Sequence, residues 1–316
     1  MLDPFVYKSD QLRVLFGRGA IERIGEEAAR HKISRAMMLC SQNRGDFAQA
    51  VAARLGERVA GISTAARPGM PSAAFDEIVA DLGRFRADGF VCVGGGSPTG
   101  LAKAVAAATR LPFIAVVTTY SGSEMSGRWY IGTGADERTG ETPSALPASA
   151  IYDPDLTVDL PFPTSAASCM NAMAHAVESL YGPDANPIVL TLAEEAVRRL
   201  GSALPRLKRN PKDIDARGDA LYGAWLAAAF NRQAAPDAMA RIARALGVAD
   251  PVQALYDINV ACGLATGLKD LGLREEDIGR AVDVVAKRKF PNPRPLTAAD
   301  IDNVIRQAFA GKPPRF

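Results

Sequence analysis

Residues 90–103 read FVCVGGGSPTGLAK: four apolar residues, then three glycines and a serine, then a helical apolar pattern from Leu101. A strand that enters a helix through such a turn is the local form of a phosphate cradle. Glycine is needed there because a Cβ would hold a pyrophosphate away from the backbone, and the helix start supplies unpaired N–H donors and the positive end of its dipole. The turn therefore points to a dinucleotide, although Gly94, Gly96 and Gly100 are spaced one residue wider than the usual fingerprint. On local pattern alone, a tight strand-to-helix connection explains it equally well. Pro98 near the helix start, Lys103 one turn in, and a second polar loop, Thr118-Thr119, after the next strand weigh for the cradle.

Outward from this turn, the first half alternates strand-like and helical runs. Strands are expected at residues 12–16, 36–40, 59–62, 90–93 and 113–117, and helices at 20–31, 47–55, 72–85 and after the glycines. That rhythm implies an α/β domain with a parallel sheet covered by helices on both faces, and ligands of such sheets sit at the carboxyl ends of the strands. Both the glycine turn and the run TTYSGSE at 118–124 fall at such ends. After Tyr152 the pattern changes. Prolines at 154, 161 and 163 break regular structure, and helical periodicity follows at 165–181, 187–201, 213–230, 236–247, 251–261 and 275–286. An all-α second domain is expected, giving a division into 1–155 and 156–316. The final AGKPPRF reads as a tail.

With 37 basic and 35 acidic residues the formal charge is +2, which offers no field that would select nucleic acid or an acidic membrane. The four cysteines are dispersed, three of them in apolar runs, as suits buried thiols better than a disulfide framework or a zinc cage. The opening MLDPFVYKSD lacks a cationic segment followed by an apolar one, so no leader is expected, and no stretch is long and apolar enough to span a bilayer. A cytoplasmic enzyme with a small-molecule substrate is expected.

Four segments carry a family resemblance: GGGSPTGLAKA, LPFIAVVTTYSGSEMS, LPASAIYDPDLTVDLP and MNAMAHAVESLY. Together they resemble the iron-containing alcohol dehydrogenase family, with similarity from FVYKSDQLRVLFGRGAIERIG near the start to FPNPRP near the end. Within it, the TTYSGSEMS block, Gly100 where metal-dependent members usually have Asp, and LYGAWLAAA at 221–229 are closest to the maleylacetate reductases. The resemblance implies a dehydroquinate synthase-like arrangement, with a nucleotide-binding domain, a helical domain, a cleft between them and assembly as a homodimer. It also implies that Gly95, Gly96 and Ser97 hold the pyrophosphate of NADH or NADPH, while Thr118, Thr119, Ser121 and Gly122 flank the nicotinamide half. The substrate implied is maleylacetate or a similar unsaturated oxo-dicarboxylate from aromatic ring cleavage.

Asn171 and His175 stand at i and i+4 on one expected helix and share a face. Metal-dependent relatives have Asp and His at that spacing as ligands; here the carboxylate is a neutral amide, and His31 is the one other histidine. A three-histidine site cannot form, so no metal is expected. His175 is either a proton-transfer group or a satisfied imidazole, and the resemblance favours the first. Tyr120 either donates to substrate or packs against a strand end. Arg128 meets an anionic substrate or is a solvated charge. The stretch Ser41-Gln42-Asn43-Arg44 after the second strand has no carboxylate to prefer NADH over NADPH.

One departure stands out. Family members continue after the equivalent of LYGAWLAAAF with a His-rich, Gly-containing helical stretch, whereas here Phe230 is followed directly by Asn231. Loss of that stretch leaves two expectations open: a reductase with a weakened site, or a degenerate or repurposed member that binds nucleotide without reducing substrate.

Overall fold

The computed structural model describes residues 12–132, 136–180, 186–229, 238–287 and 295–313. The chain divides into two compact units, Ser9–Leu160 and one built on Pro161–Phe316.

In the first unit, apolar runs of four to eight residues form β1 (Arg13–Phe16), β2 (Ala36–Ser41), β3 (Val59–Ala66), β4 (Gly89–Gly94), β5 (Phe113–Val117) and β8 (Ser149–Tyr152). They make one sheet in the order β1-β8-β5-β4-β2-β3, with every pairing parallel. The crossovers carry α1 (Ile24–Arg30), α2 (Gly45–Ala52), α3 (Ser72–Phe85) and α4 (Gly96–Thr109). A short antiparallel hairpin, β6 (Arg128–Ile131) with β7 (Arg138–Glu141), packs against α4.

Because side chains alternate along a strand, each central strand buries both faces. Met38, Cys40, Val91, Val93, Ile114, Val116 and Ile151 join Ile24, Ala28 and Val51 in one core. On the other face Phe90 and Phe113 stack with centroids 5.1 Å apart, among the buried Met37, Leu39 and Cys92. All four cysteines are buried and free.

The expected strands and helices of this half are present, and β8 is an addition. Its four residues, SAIY, are too few to show a period, yet it lies between β1 and β5 and is buried along its whole length. The hairpin was likewise missed, because each strand has only four residues, RWYI and RTGE, and neither alternates clearly.

The second unit is helical: α5 (Phe162–Ser179), α6 (Pro187–Arg209), α7 (Ile214–Ala228), α8 (Ala238–Leu246), α9 (Pro251–Ala261), α10 (Ile278–Lys287) and α11 (Ala298–Ala310). α6 buries Val189, Ala193, Ala196, Val197, Leu200, Leu204 and Leu207, a stripe at helical spacing that packs most extensively on α7. Arg217 of α7 is fully buried and ties α7 to α5, donating to Ser165 Oγ at 2.7 Å and to the Pro211 carbonyl at 2.9 Å. None of the described helices is long and apolar enough to cross a membrane.

Two helices differ from expectation. α6 runs past Gly201, the residue at which the sequence pattern ended it, to Arg209. That glycine is a contact and not a stop, since a Cβ there would lie 2.5 Å from Leu246 Cδ2. α11 was unforeseen, although Thr297 and Asp300 form a reciprocal capping box at its start and Gly311 closes it with φ of 68°.

Candidate functional site

The glycine turn and the Thr118-Thr119 loop leave neighbouring strand ends. Gly94 pairs with Val117 in register, and the Thr118 amide donates to the Gly94 carbonyl at 3.2 Å. Gly94 has φ of 155°, and a Cβ on it would meet Pro98 Cγ at 2.7 Å. A Cβ on Gly95 would lie 2.5 Å from Thr119 Cγ2 and 2.6 Å from Thr119 Oγ1, so the second loop closes directly on the first. Gly96 differs: the nearest atom to its Cβ position is Ser121 Cβ at 3.9 Å. It is the first residue of α4, with open space before it.

The start of α4 has no side-chain cap. Pro98 has no N–H and Thr99 donates to the Gly95 carbonyl at 3.1 Å, which leaves the amides of Gly96 and Ser97 as the helix's unpaired donors. Beside them, Thr119 Oγ1 is buried and has no hydrogen-bond partner among the described residues. An orphaned hydroxyl of that kind destabilises a fold by about 1–3 kcal/mol unless a ligand meets it. The donors and the missing Cβ atoms fit a dinucleotide's diphosphate.

The structure also brings together Gly100, Lys103 and Arg128, which the sequence singled out separately, with Met70 and Trp129, which it did not. A cavity of about 270 Å³ opens from Gly96 and Ser97 along α4, past Gly100 and Lys103, to Arg128 and Trp129 of the hairpin. Glycine at 100 lets Met70 close one wall, since a Cβ there would lie only 2.1 Å from Met70 Sδ. Lys103 is 4% exposed. Its ammonium donates to the Ser123 carbonyl at 2.7 Å and to Ser126 Oγ at 3.3 Å. Beneath the same loop, Glu124 is buried and accepts a 2.5 Å hydrogen bond from the Tyr152 hydroxyl. Burial raises the Glu124 carboxyl above its ordinary range against the pull of the Tyr152 bond and the Lys103 charge. The only sequence signal for this group is charge inside an otherwise small and apolar stretch.

Of the remaining expected residues, Ser121 and Gly122 form the turn facing Gly96, with Gly122 at φ of 68°. Tyr120 is fully buried, with its hydroxyl 3.4 Å from Thr157 Oγ1; this position favours packing over contact with substrate. Arg128 is more than half exposed and pairs across the hairpin with Glu141 at 2.9 Å. In the second unit, Asn171 and His175 are exposed on one face of α5, and His175 Nδ1 lies 3.6 Å from Glu178 Oε2. Among the described residues no three His, Cys, Asp or Glu side chains converge on a possible metal position, and Asn171 sets a neutral amide, a poor ligand, beside His175. The Phe230–Asn231 junction lies outside the described residues.

The family profile for iron-containing alcohol dehydrogenases matches residues 12–154, and the C-terminal profile for the Fe-containing alcohol dehydrogenase family matches 165–234 and 228–309. The chain belongs to the iron-containing alcohol dehydrogenase family. It is an oxidoreductase. It is 37% identical to the maleylacetate reductase of Sphingobium indicum and 36% identical to that of Pseudomonas knackmussii, in each case over 98% of this chain and 99% of the relative. Its structure superposes on that of maleylacetate reductase from Agrobacterium tumefaciens with a TM-score of 0.93 at 32% identity, and on the Rhizobium sp. strain MTP-10005 enzyme with 0.92 at 33%, covering 99% of this chain and 100% of each of those chains. The Sphingobium indicum and Pseudomonas knackmussii reductases align over 348 positions, more than the 316 residues of this chain; they therefore contain residues that it lacks. The C-terminal profile breaks into two pieces that meet at residues 228–234, around Phe230–Asn231.

Proposed function

We propose that this chain is an NAD(P)H-dependent reductase of maleylacetate, or of a similar unsaturated oxo-dicarboxylate, yielding 3-oxoadipate in the degradation of aromatic compounds. The observation that carries the reading is the cradle: two free helix-terminal amides and an orphaned hydroxyl around glycines that admit a diphosphate, in a chain akin to maleylacetate reductases over nearly its whole length. In this reading Gly95, Gly96 and Ser97 hold the diphosphate, and Thr118, Thr119, Ser121 and Gly122 flank the nicotinamide half. When bound, NADH or NADPH supplies a hydride to the carbon–carbon double bond of the substrate. His175 is the candidate to hold and deliver the proton, with Glu178 beside its Nδ1 and Asn171 orienting a carboxylate. The hydride transfer is proposed to be metal-free, because Asn171 is a neutral amide beside His175 and a poor metal ligand.

Cofactor choice is proposed to be loose. β2 ends at Ser41 and is followed by Gln42–Arg44, with no carboxylate to bind a ribose 2′-hydroxyl or repel a 2′-phosphate. Maleylacetate-dependent loss of NADH absorbance tests the main reading. Its absence from a folded protein that binds NADH would sink it, and would leave a second reading, a nucleotide-binding member without reductase activity, which the break in the C-terminal match supports.

A further inference from the structure

Lys103 is a buried cation with no carboxylate in direct contact among the described residues, although the charges of Glu124 and Glu141 act on it from farther off. Its two acceptors, the Ser123 carbonyl and Ser126 Oγ, are neutral, and among the described residues no carboxylate lies within ion-pair distance of it. The nearby Glu124 carboxyl is instead held by the Tyr152 hydroxyl, and Glu141 is paired with Arg128. An ammonium so far out of water is costly unless an anion meets it. Among the described residues the third N–H of Lys103 has no acceptor, and the residue lines the same cavity as Gly96 and Ser97, the uncapped start of α4. Gly96, Gly100 and Lys103 follow one another at helical spacing, and side chains lean toward the N-terminus of their helix, so the amine and the free amides address one space.

We propose that this cavity is an oxyanion subsite in which Lys103 is the counter-ion and the Gly96 and Ser97 amides complete the coordination. The ligand chemistry is a phosphoryl or carboxylate group, and the cavity is too small for a whole dinucleotide. Two sources supply such a group under the reductase reading, on which this assignment of sources rests: the diphosphate of the cofactor, or one carboxylate of the substrate.

Trp129 lines the cavity and reports on it by fluorescence. Wild type and Lys103→Met are titrated with sulfate, maleate and NADH, with melting temperatures measured in parallel. At least a tenfold loss of sulfate affinity in a variant that melts like wild type is the expected result. If NADH affinity falls with it, the source is the diphosphate; if maleate affinity falls and NADH is unchanged, the source is the carboxylate. Wild-type affinity for all three ligands in folded Lys103→Met overturns the proposal. Should that variant fail to fold, wild type decides. Burial lowers the Lys103 ammonium to about 8, against the opposing charges of Glu124 and Glu141, so sulfate affinity is expected to fall tenfold or more between pH 7 and pH 9.5. Sulfate keeps its charge over that range, and a flat profile overturns the subsite. Sulfate binding that depends on Lys103, without maleylacetate-dependent NADH oxidation, removes the reductase reading and leaves the subsite; reductase activity with wild-type kinetics in Lys103→Met does the reverse.

Discussion

Gly95 and Gly96 are adjacent and are glycine for different reasons, which makes them separable by mutation. At 95 a Cβ collides with Thr119, whereas at 96 it has room, so a side chain there leaves the fold standing and intrudes on whatever lies in front of the helix. Gly96→Asp is expected to melt at or above the wild-type temperature, because a carboxylate at the start of a helix is favourable, while NADH binding by fluorescence titration is abolished. Unchanged affinity would remove the cradle from the cofactor site. Thr119→Val tests the same site from the other loop. It deletes a hydroxyl that no protein group satisfies, so stability in urea is expected to hold or rise by up to about 1 kcal/mol, while NADH affinity drops roughly tenfold, about 1.4 kcal/mol. A variant less stable than wild type, with affinity intact, would give Thr119 a purely structural role. The glycines and threonines were legible in the sequence because their chemistry is local. The isolation of Lys103 and the burial of Tyr120 and Glu124 were not, since both depend on what other elements bring or fail to bring beside them.

Elements were legible where their period was long enough to show. α3 and α9 match their expected spans because each sustains a helical pattern between clear breaks, while β8 has no such length and owes its place to its neighbours in the sheet. Glycines within helices misled for a related reason, as Gly201 shows. Gly223 of α7 is the stronger case: a Cβ there would lie 2.9 Å from Leu200 Cγ and 3.1 Å from the Ala196 carbonyl oxygen of α6. Helix propensity alone predicts that Gly223→Ala stabilises by roughly 0.5–1 kcal/mol, but the contact forces α6 and α7 apart, so a net loss of about 1–2 kcal/mol is expected in urea unfolding. A gain would mean that the helix pair tolerates the shift. At the other end of the sheet, Glu27 of α1 is buried, receives Arg13 Nε at 2.8 Å and Ser149 Oγ at 2.6 Å, and so staples α1 to β8; His31 Nε2 lies 2.7 Å from Ser149 Oγ. Burial pushes the Glu27 carboxyl up, but the bonds from Arg13 and Ser149 and the charges of Arg13 and Arg30 outweigh it and leave it below its ordinary 4.5. Its stabilisation is therefore complete above that value and lost as pH falls through its lower folded value. His31 is lowered from 6.5, by burial more than Glu27 raises it; the unfolded chain takes up that proton first, and stability falls as pH drops below 6.5. Melting temperature is expected to decline in two stages between pH 7 and pH 3, with His31→Gln removing the upper stage and Glu27→Gln reducing the lower, to which Asp88, Glu195 and Asp213, also held below their ordinary values by hydrogen bonds, contribute as well. A single stage unaffected by either change would sink the assignment.

At the scale of the whole molecule, kinship runs from end to end while the length does not match. The family relation was readable from four segments of sequence, and so was the place of the discrepancy, because LYGAWLAAAF ends abruptly in Asn-Arg-Gln where relatives continue. The two-part match to the C-terminal profile puts the break at the same place. The residues proposed to bind the cofactor all lie in the first unit, whose family match over residues 12–154 is unbroken, so NADH affinity is expected to be ordinary. Turnover is another matter. A transition state is stabilised by donors held in fixed positions in a site that excludes water, and removing one such donor lowers kcat by roughly 10²–10³. Because the family resemblance makes the missing stretch His-rich, kcat for maleylacetate is expected to lie at least about a hundredfold below that of the Sphingobium indicum reductase assayed alongside. Inserting the corresponding stretch of that relative between Phe230 and Asn231 should raise kcat and leave NADH affinity where it was. Turnover by the unaltered chain at the rate of its relative would show that the extra residues are dispensable, and the proton and the substrate carboxylates would then be the work of His175 and Asn171 on α5. In that case His175→Ala should abolish a reaction that the insertion could not improve.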